Sequence, residues 1–580
     1  MTYDLILRNG TIVDGLGGEP YVGDVAIKDG AIAAVDRISG ADPQHNVPAG
    51  APEIDATGLL VTPGFIDLHT HYDGQAVWSD RLTPSSAHGV TTAVMGNCGV
   101  GFAPCRPEDH DVLVDVMSGV EDIPGVVMTE GLPWNWETFG EYLDALDAGK
   151  RDIDVAAYLP HSPLRVYAMG QRGAEREPAT AKDIATMRAL AKEAIQTGAL
   201  GFASSRLMIH KTASGLPIPS YDAGRDEIAA IAQGVADGGG GLLQFVPDIP
   251  AGQYQPVLQT FFDVATSVGL PVTFTLGIAN SGTPIWPDAI TMIEKANKRA
   301  AARYPLVTAQ LLPRPIGLMI GLELTGNPFV LYPSYREIAG LPLAERVAEM
   351  RKPEVRARIL ADTPGEGHPL LYMAQAWDWI FPLGDDANYE PRRSDSIAAR
   401  AAARGVSPQE EAYDQLLEND GQAMLLVALA NFENYSLDTV GELLHRDDVV
   451  LGLGDGGAHY GMICDASYPT YLLTHWVRDR ATGRFSLPQA IRELTSVPAR
   501  VAGLSDRGRI AAGYKADLNV INHAALRLHK PVVTNDLPAG GRRLDQKADG
   551  YLATIVSGQV ISRNGQPTDA RPGKLIRGQR

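Results

Sequence analysis

The chain has 580 residues, of which 45% are hydrophobic and 21% charged, and its formal net charge is -19 with a pI of about 5.1. This composition is typical of a globular protein, and a chain of this length is too long for one compact core. We therefore expect two structural units, one of them large. An acidic surface repels phosphates, so these totals disfavour nucleic acid and anionic membranes as partners and favour a small molecule or a protein.

The cysteine content and the amino-terminal segment indicate the compartment. The chain has three cysteines, Cys98, Cys105 and Cys464. Three are too few for a disulfide framework, and an odd number leaves at least one thiol free, which favours a reducing environment. The opening "MTYDLILRNG" has no positively charged region followed by an apolar one, and no apolar run is long enough to span a bilayer. We therefore expect a cytoplasmic protein.

Short β-like runs broken by Gly and Asn-Gly occur at both ends of the chain. The first are "YDLILRNGTIVDG" and "VGDVAIKDGAIAAVD", and the last are "GRIAAGYKADLNVI" and "YLATIVSGQVISRNGQPT". Isolated hairpins are marginally stable in water. We therefore expect residues 1–60 and 505–580 to form one small β-sandwich domain into which the middle of the chain is inserted.

The middle, residues 61–504, has a different pattern, in which eight apolar runs are separated by helical segments. The runs are "LLVTPGFIDLHTH", "GVTTAVMGN", "DVAAYLPH", "ALGFASS", "GLLQFVPD", "PVTFTLGIA", "LVTAQLLPR" and "VVLGLGDGGAH". This pattern predicts an α/β fold, a (β/α)8 TIM-like barrel. In the helical segment "TAKDIATMRALAKEAIQTG" we expect Thr180 to be the N-cap and Gly198 the end.

One connection in this pattern is unusually long. Residues 313–448 separate the seventh run from the eighth, far more than a barrel loop needs. We expect this insertion to carry helices of its own and to cover the mouth of the barrel.

Candidate metal ligands stand where strands of the predicted barrel end. Successive side chains of a strand point to opposite faces, so His69 and His71 in "GFIDLHTHYDGQ" leave the backbone on the same side, and imidazole is a common zinc ligand. Asp455 in "LGLGDGGAH" is predicted to be both a metal ligand and the general base, although an Asx-turn or an N-cap is the alternative. Cys98 in "VMGNCGVGFAP" is predicted to be a thiolate ligand, and its alternative is a buried structural thiol.

Further polar residues follow the same strands and are candidates for acting on the substrate. We predict catalytic roles, such as stabilising a developing oxyanion, for His161 and His210. We predict substrate binding for His459 and, because they could pair with a carboxylate, for Arg165, Arg206 and Lys211. For each of these residues the alternative is a polar loop position without a functional role.

Several motifs resemble the amidohydrolase superfamily, and within it the N-acyl-D-amino-acid deacylases, also called D-aminoacylases. They are "ILRNGTIVDG", "VTPGFIDLHTHYD", "GVTTAVMGNCGVGFAP", "EAIQTGALGFASS", "GDGGAH", "DRGRIAAGYKADLNVI" and "GQPTDARPGKLIRG". The resemblance implies a metal-dependent hydrolase with a barrel and a β-domain built from both termini. It also implies that His69 and His71 are the metal-binding pair, that Cys98 replaces a metal-bridging lysine and that Asp455 is the catalytic aspartate.

The sequence also departs from the deacylases. They place a ligating histidine at the ends of strands five and six, where this chain has Gln244 and Thr275, both poor zinc ligands. Their arginine-bearing stretch after the aspartate is not recognisable in "HYGMICDASYPTYLLTHWVRDR". We therefore expect one zinc ion per chain rather than two, held by His69, His71, Cys98 and Asp455.

The expected function is metal-dependent hydrolysis of a linear or cyclic C–N amide bond in a small substrate, such as an N-acyl-D-amino acid. Two alternatives stay open at this point. One is an esterase or lactonase that uses the same site, and the other is a metal-binding pseudoenzyme without activity. The resemblance further implies a homo-oligomer.

Overall fold

A computed structural model describes residues 3–37, 51–248, 254–282, 284–300, 305–365 and 374–578. Within these ranges the strands are, in chain order, β1 Leu5–Ile12, β2 Tyr21–Lys28, β3 Ala31–Arg37, β4 Glu53–Asp55, β5 Leu60–Pro63, β6 Phe65–Asp67, β7 Val90–Met95, β8 Asp154–Pro160, β9 Gly201–Ser205, β10 Leu242–Val246, β11 Val272–Thr275, β12 Val307–Leu311, β13 Ile316–Gly321, β14 Ile380–Leu383, β15 Met424–Ala430, β16 Val449–Leu451, β17 Leu518–Ile521, β18 Arg527–Leu528, β19 Val532–Thr534, β20 Arg543–Asp545, β21 Ala548–Asp549, β22 Tyr551–Val556, β23 Gln559–Arg563 and β24 Gln566–Pro567.

The α-helices of the same ranges alternate with the strands over most of the chain. They are α1 Gln75–Trp78, α2 His110–Val120, α3 Gly125–Gly131, α4 Phe139–Ala148, α5 His161–Met169, α6 Gln171–Ala174, α7 Ala181–Thr197, α8 Arg225–Gly238, α9 Tyr254–Val268, α10 Trp286–Ala300, α11 Pro333–Arg336, α12 Leu343–Met350, α13 Pro353–Ala361, α14 Ile397–Arg404, α15 Pro408–Leu416, α16 Asp438–Leu443, α17 Tyr468–Tyr471, α18 Leu487–Leu494 and α19 Ser496–Val501. None of the described helices combines the length and apolarity that crossing a membrane requires.

The eight apolar runs of the middle segment form the predicted barrel. Strands β6 to β12 pair in parallel in chain order and β16 follows β12, which gives one eight-stranded sheet. Beyond the ends of β16 and β6, Asp455 N donates to His69 O at 3.0 Å and His71 N donates to Gly456 O at 2.8 Å. These bonds join the last strand to the first. The (β/α)8 prediction is confirmed, and the candidate ligands of the first and last strands meet at this seam.

The helix boundaries follow local sequence signals. Helix α7 begins after Thr180, whose hydroxyl accepts from Asp183 N in a capping box, and it ends at Gly198 with φ 117°. Both predicted caps are confirmed. A capping box satisfies two amide groups that the first helical turn leaves without partners, and glycine adopts the left-handed conformation at little cost.

The two ends of the chain share one sheet. Its order is β24-β23-β22-β17-β5-β1-β2-β3, with β4 paired to β1, and β5 from the first end pairs antiparallel with β17 from the last. Leu7, Ile27, Val61, Leu518 and Ile555 are among the buried residues of its core. A sheet domain built from both termini is therefore confirmed, while the boundaries at residues 60 and 505 stay predictions.

The long connection before β16 carries helices, as expected, and also a sheet. Strands β13, β15 and β14 form a three-stranded antiparallel sheet, and its side chains join a separate core that includes Phe329, Ile397 and Tyr413. Thr325 Oγ1 donates to Asp122 Oδ2 at 2.9 Å, which links this insertion to the loop after β7. The insertion therefore contacts the end of the barrel that holds the candidate ligands.

The basic tail lies along the opposite end of the barrel. Lys574 N donates to Asp154 Oδ1 at 2.9 Å, and Ile576 N donates to the carbonyl oxygen of Val155 at 2.7 Å. The Arg577 guanidinium donates to the carbonyl oxygen of Thr197 at 2.7 Å. The tail is thus bound at the start of β8 and at the end of α7.

A buried ion cluster joins the barrel to the sheet domain. Arg507 Nη1 lies 2.6 Å from Asp154 Oδ2 and 2.9 Å from Thr92 Oγ1, while Lys515 Nζ lies 2.8 Å from the same Asp154 oxygen. We expect Arg507→Ala to lower the free energy of unfolding by about 1.5–3 kcal/mol, because the buried Asp154 carboxylate keeps Lys515 but loses a charged hydrogen-bond donor. Urea unfolding followed by circular dichroism measures this. The exposed Arg563→Ala should change stability by less than about 0.5 kcal/mol, and equal shifts for the two variants would contradict the prediction.

Candidate metal centre and active site

Three of the four predicted ligands converge in the structure. Cys98 Sγ lies 3.4 Å from His69 Nε2 and 3.7 Å from His71 Nε2. One donor atom from each residue lies within 4.8 Å of the other two, and all three side chains are buried. This is the only such group of histidine, cysteine and carboxylate donors among the residues that the structure describes.

Asp455 faces the same point but lies outside that group of three. Its Oδ1 is 3.5 Å from His69 Nε2 and 3.6 Å from His71 Nε2. Burial raises the pKa of Asp455 well above its ordinary value, and the charges of Asp465 and Asp67 add to the shift. A cation beside these groups would lower the pKa again, because it favours the ionised carboxylate.

The chemistry of this donor set fits a zinc ion. Burial raises the pKa of the Cys98 thiol well above its usual range, with Glu121 and Asp455 as the next causes, so the thiolate needs a nearby cation. Two imidazole nitrogens, one sulfur and one carboxylate oxygen are ligands that zinc accepts. The four residues would hold such an ion at the seam of the barrel.

His69 and His71 direct Nε2 toward the ligand cluster, and each has a further partner at Nδ1. His69 Nδ1 lies 2.7 Å from Gln310 Oε1, which can only accept, so this nitrogen carries the proton and Nε2 has the free lone pair. His71 Nδ1 lies 3.3 Å from Glu121 Oε1. Burial lowers the pKa of His69 to about 4 and that of His71 well below its ordinary value. Both rings are therefore neutral near pH 7, which is the form that binds metal.

Three site residues adopt a backbone conformation that is uncommon outside glycine. The φ angles are 58° for Cys98, 48° for Asp455 and 49° for His459. Left-handed non-glycine residues cost on the order of 1–3 kcal/mol and concentrate at functional sites. Cys98 N donates to Gln244 Oε1 at 3.1 Å, which holds the turn in place.

The glycines around Asp455 allow the last strand to approach the first closely. A Cβ atom on Gly454 would lie 1.9 Å from Asp67 Oδ2. Gly457 has φ 89°, and a Cβ atom there would lie 2.8 Å from the carbonyl oxygen of His71. The motif "GDGGAH" therefore reflects a steric requirement of the seam as well as the presence of Asp455.

Strands five and six contribute no ligand at the two positions that the sequence singled out. The Gln244 amide oxygen is used by Cys98 N, and Thr275 Oγ1 is buried without a hydrogen-bond partner in the described residues. Gln244 thus supports the turn that presents Cys98.

His161 and Arg165 belong to a second buried cluster, centred on Glu227. His161 Nδ1 lies 2.8 Å from Ser204 Oγ and its Nε2 lies 3.0 Å from Glu227 Oε1. The Arg165 guanidinium donates to the Glu227 carboxylate and to the carbonyl oxygen of Glu177. The structure therefore engages both His161 nitrogens within the protein and pairs both residues with protein groups other than the metal donors.

The other predicted substrate residues lie on the loop after β9 and on the loop after β16. His210 Nδ1 lies 2.9 Å from Ser205 Oγ. Burial lowers the pKa of His210 to about 3, and the charges of His459 and His69 add to the shift. Arg206 donates to the carbonyl oxygen of Ala223, and Lys211 pairs through its backbone with Pro217.

Arg314, a third arginine at a strand end, is held by protein groups. It donates to Asp465 Oδ1, to Ser467 Oγ at 3.0 Å and to the carbonyl oxygen of Cys464 at 2.6 Å. Its guanidinium also lies 4.0 Å above the ring of Tyr389. These contacts indicate a structural arginine.

Glu121 and Gln310 are site residues that the sequence did not reveal. Gln310 is the next-to-last residue of β12, and a polar residue inside the apolar run "LVTAQLLPR" is a signal of an inward-facing position. Glu121 follows α2 in the long loop after β7, and no spacing rule predicts that it approaches His71. Both residues are fully buried.

We expect Gln310→Leu to weaken zinc binding by about 10–100-fold, the usual effect of removing a group that orients a ligating histidine. The substitution leaves His69 Nδ1 without its acceptor. Competition with a fluorescent zinc chelator measures the affinity. The exposed Gln259→Ala is the control, and an unchanged affinity for Gln310→Leu would show that His69 needs no such support.

The chain is similar over most of its length to known proteins. The model of a family described as the amidohydrolase family matches residues 52–562. The D-aminoacylase of Alcaligenes xylosoxydans xylosoxydans is 27% identical over 581 residues, covering 99% of this chain and 97% of that protein. The N-acyl-D-glutamate deacylase of the same organism is 26% identical over 584 residues, covering 99% and 96%.

A solved structure shares the fold. The N-acyl-D-glutamate deacylase from Bordetella bronchiseptica, solved with zinc and a phosphonate inhibitor, has a TM-score of 0.64 and 22% identity and covers 100% of both chains. This likeness supports the assignment of the barrel and the sheet domain.

Proposed function

Since the chain belongs to the amidohydrolase family and is a hydrolase of carbon–nitrogen bonds other than peptide bonds, we propose that it hydrolyses the amide bond of an N-acyl-D-amino acid or a similar small amide with one zinc ion. The observation that carries the proposal is the convergence of His69 Nε2, His71 Nε2 and Cys98 Sγ, with Asp455 Oδ1 at 3.5 Å and 3.6 Å from the two imidazoles. Gln310 supports His69 in this arrangement.

The proposed chemistry divides between the ion and the protein. When bound, the ion would supply Lewis acidity for the scissile carbonyl and for the attacking water. Asp455 accepts the proton from that water and then donates it to the leaving amine. The distances of Asp455 Oδ1 from the two imidazole nitrogens support this role, because they place the carboxylate beside the residues that would hold the ion.

Among the predicted donors to the developing oxyanion, His210 is better supported than His161. Burial lowers the pKa of His210 to about 3, so its ring is neutral near pH 7, and with Nδ1 accepting from Ser205 Oγ its Nε2 would carry the proton and could donate to the oxyanion. Because both His161 nitrogens are engaged inside the protein, we do not extend the proposal to that residue. Binding of a substrate carboxylate by Arg206, Lys211 or His459 stays a prediction.

The substrate class is proposed from the relatives, whose names include D-aminoacylase and N-acyl-D-glutamate deacylase. The test is a panel of N-acetyl-D-amino acids, their L-enantiomers and the matched esters, assayed with zinc-loaded and chelator-treated protein. We expect amide cleavage of a D-substrate that depends on zinc. Faster cleavage of esters or lactones would favour an esterase, and zinc binding without any turnover would favour a pseudoenzyme.

A further inference from the structure

Glu121 is a fully buried carboxylate between two histidines. Its Oε1 lies 3.3 Å from His71 Nδ1, its Oε2 lies 3.2 Å from His459 Nε2, and its side chain is 1% exposed. The two contacts lack the alignment of hydrogen bonds, and neither oxygen has a hydrogen-bond partner in the part of the chain that the structure describes. Burying an unsatisfied carboxylate is costly, so these two imidazoles are its available compensation.

We propose that Glu121 is a positioning residue that fixes the ring tautomers of His71 and His459 together. Burial raises the pKa of Glu121 well above its ordinary value, with the charges of Asp455 and Asp73 adding to the shift, and a cation at the neighbouring donors would favour the ionised form again. In the ionised form each carboxylate oxygen offers only lone pairs, so it repels an imidazole nitrogen that also presents a lone pair and attracts one that carries a proton. At 3.2–3.3 Å this preference assigns the proton to Nδ1 of His71 and to Nε2 of His459. The inference deepens the proposed function, on which its importance for catalysis rests.

Each tautomer has a consequence for the site. With its proton on Nδ1, His71 directs the Nε2 lone pair toward Cys98 Sγ at 3.7 Å and Asp455 Oδ1 at 3.6 Å, which is the direction that metal binding requires. His459 then carries its lone pair on Nδ1. Since Glu121 engages Nε2, Nδ1 would be the nitrogen of this 17% exposed side chain that can accept a hydrogen bond from a substrate, and it would not bind a substrate carboxylate.

Hydrogen bonds at Glu121 and its neighbour Asp122 join the loop after β7 to the loop after β16 and to the insertion before β16. His459 N donates to the carbonyl oxygen of Glu121. The next residue, Asp122, accepts from Gly461 N at 3.0 Å and from Thr325 Oγ1 at 2.9 Å. Asp122 thus anchors the same loop after β16 as Glu121 does, but no described contact joins it to either imidazole. Asp122→Asn is therefore a matched control for loss of loop anchoring alone.

The tautomers can be measured directly in the full-length protein. Isotope-labelled histidine and long-range proton–nitrogen NMR spectra show which ring nitrogen carries the proton, and His71→Asn and His459→Asn identify the two signals. We expect Nδ1 to be protonated in His71 and Nε2 in His459 in the zinc-loaded protein, where the cation favours the ionised form of Glu121. This spectrum requires bound zinc but no turnover, so its outcome is separate from that of the proposed hydrolysis.

Glu121→Gln distinguishes tautomer control from packing. An amide has one accepting oxygen and one donating NH2 group, so it can preserve the tautomer of only one imidazole, and we expect the other ring to reverse. If His71 is the ring that reverses, zinc affinity should also fall by about 10–100-fold. Asp122→Asn should leave both tautomers as in the wild type.

Two results would overturn the proposal. One is a wild-type His459 protonated on Nδ1, and the other is a folded Glu121→Gln protein in which both tautomers are unchanged. If Glu121→Gln does not fold, the wild-type spectrum alone decides the question, because the proposal assigns both tautomers there.

Discussion

Asp455→Asn is expected to lower kcat by about 10²–10⁴-fold, the usual contribution of a general acid–base residue. The substitution keeps the size of the side chain and one oxygen, so His69, His71 and Cys98 should still hold zinc. The amide cannot accept a proton from water or return it to an amine. Steady-state kinetics on an amide substrate, with zinc content measured on the same sample, separates lost chemistry from lost metal.

The control for this experiment is Asp447→Asn, since Asp447 has a side chain that is 77% exposed and precedes β16, whereas Asp455 follows that strand. Its kcat should equal that of the wild type. An Asp455→Asn enzyme that retains zinc and wild-type kcat would remove Asp455 from the proton-transfer role. Full loss of zinc would instead make Asp455 primarily a ligand.

The double substitution His69→Ala/His71→Ala is expected to reduce the zinc content from about one ion per chain to none, because two of four ligands are lost. Turnover should disappear with the metal. Cys98→Ser should have a smaller effect, since an alcohol is a weaker ligand than a thiolate but the two imidazoles remain. Elemental analysis of the purified proteins measures the zinc content of the wild type and of both variants.

The control here is His110→Ala/His529→Ala, which removes two histidines outside the described metal donors. It should retain the wild-type zinc content. If the wild type contained no zinc even after expression with added metal, the convergence of His69, His71 and Cys98 would be an inherited arrangement without an ion. The hydrolytic mechanism would then have to be abandoned.

The barrel and the ligand cluster were predictable because each depends on a local pattern. Eight apolar runs of strand length recur between helical segments, and the alternation of side chains along the first strand places His69 and His71 on one face. Asp455 and Cys98 follow strands of the same parallel sheet, whose carboxyl ends meet at one side. Parallel pairing then brings these residues together.

The residues that support the ligands were not predictable in the same way. Glu121 reaches His71 only through the path of a long loop, and Gln310 reaches His69 across the interior of the barrel. The roles predicted for His161 and Arg165 depended on which direction their side chains take after β8, and Glu227 on α8 provides the buried partner for both. Such tertiary pairings have no fixed spacing in the sequence.

The shared sheet of the two chain ends also constrains synthesis. β5 ends at Pro63 and its partner β17 begins at Leu518, so the ribosome must add about 450 residues before the two can pair. At about 5–20 residues per second this interval lasts roughly 20–90 s. During that time the first hairpins present an open strand edge that other chains can join. Lower growth temperatures or chaperone co-expression should therefore raise the yield of folded protein more than substitutions at the metal site would.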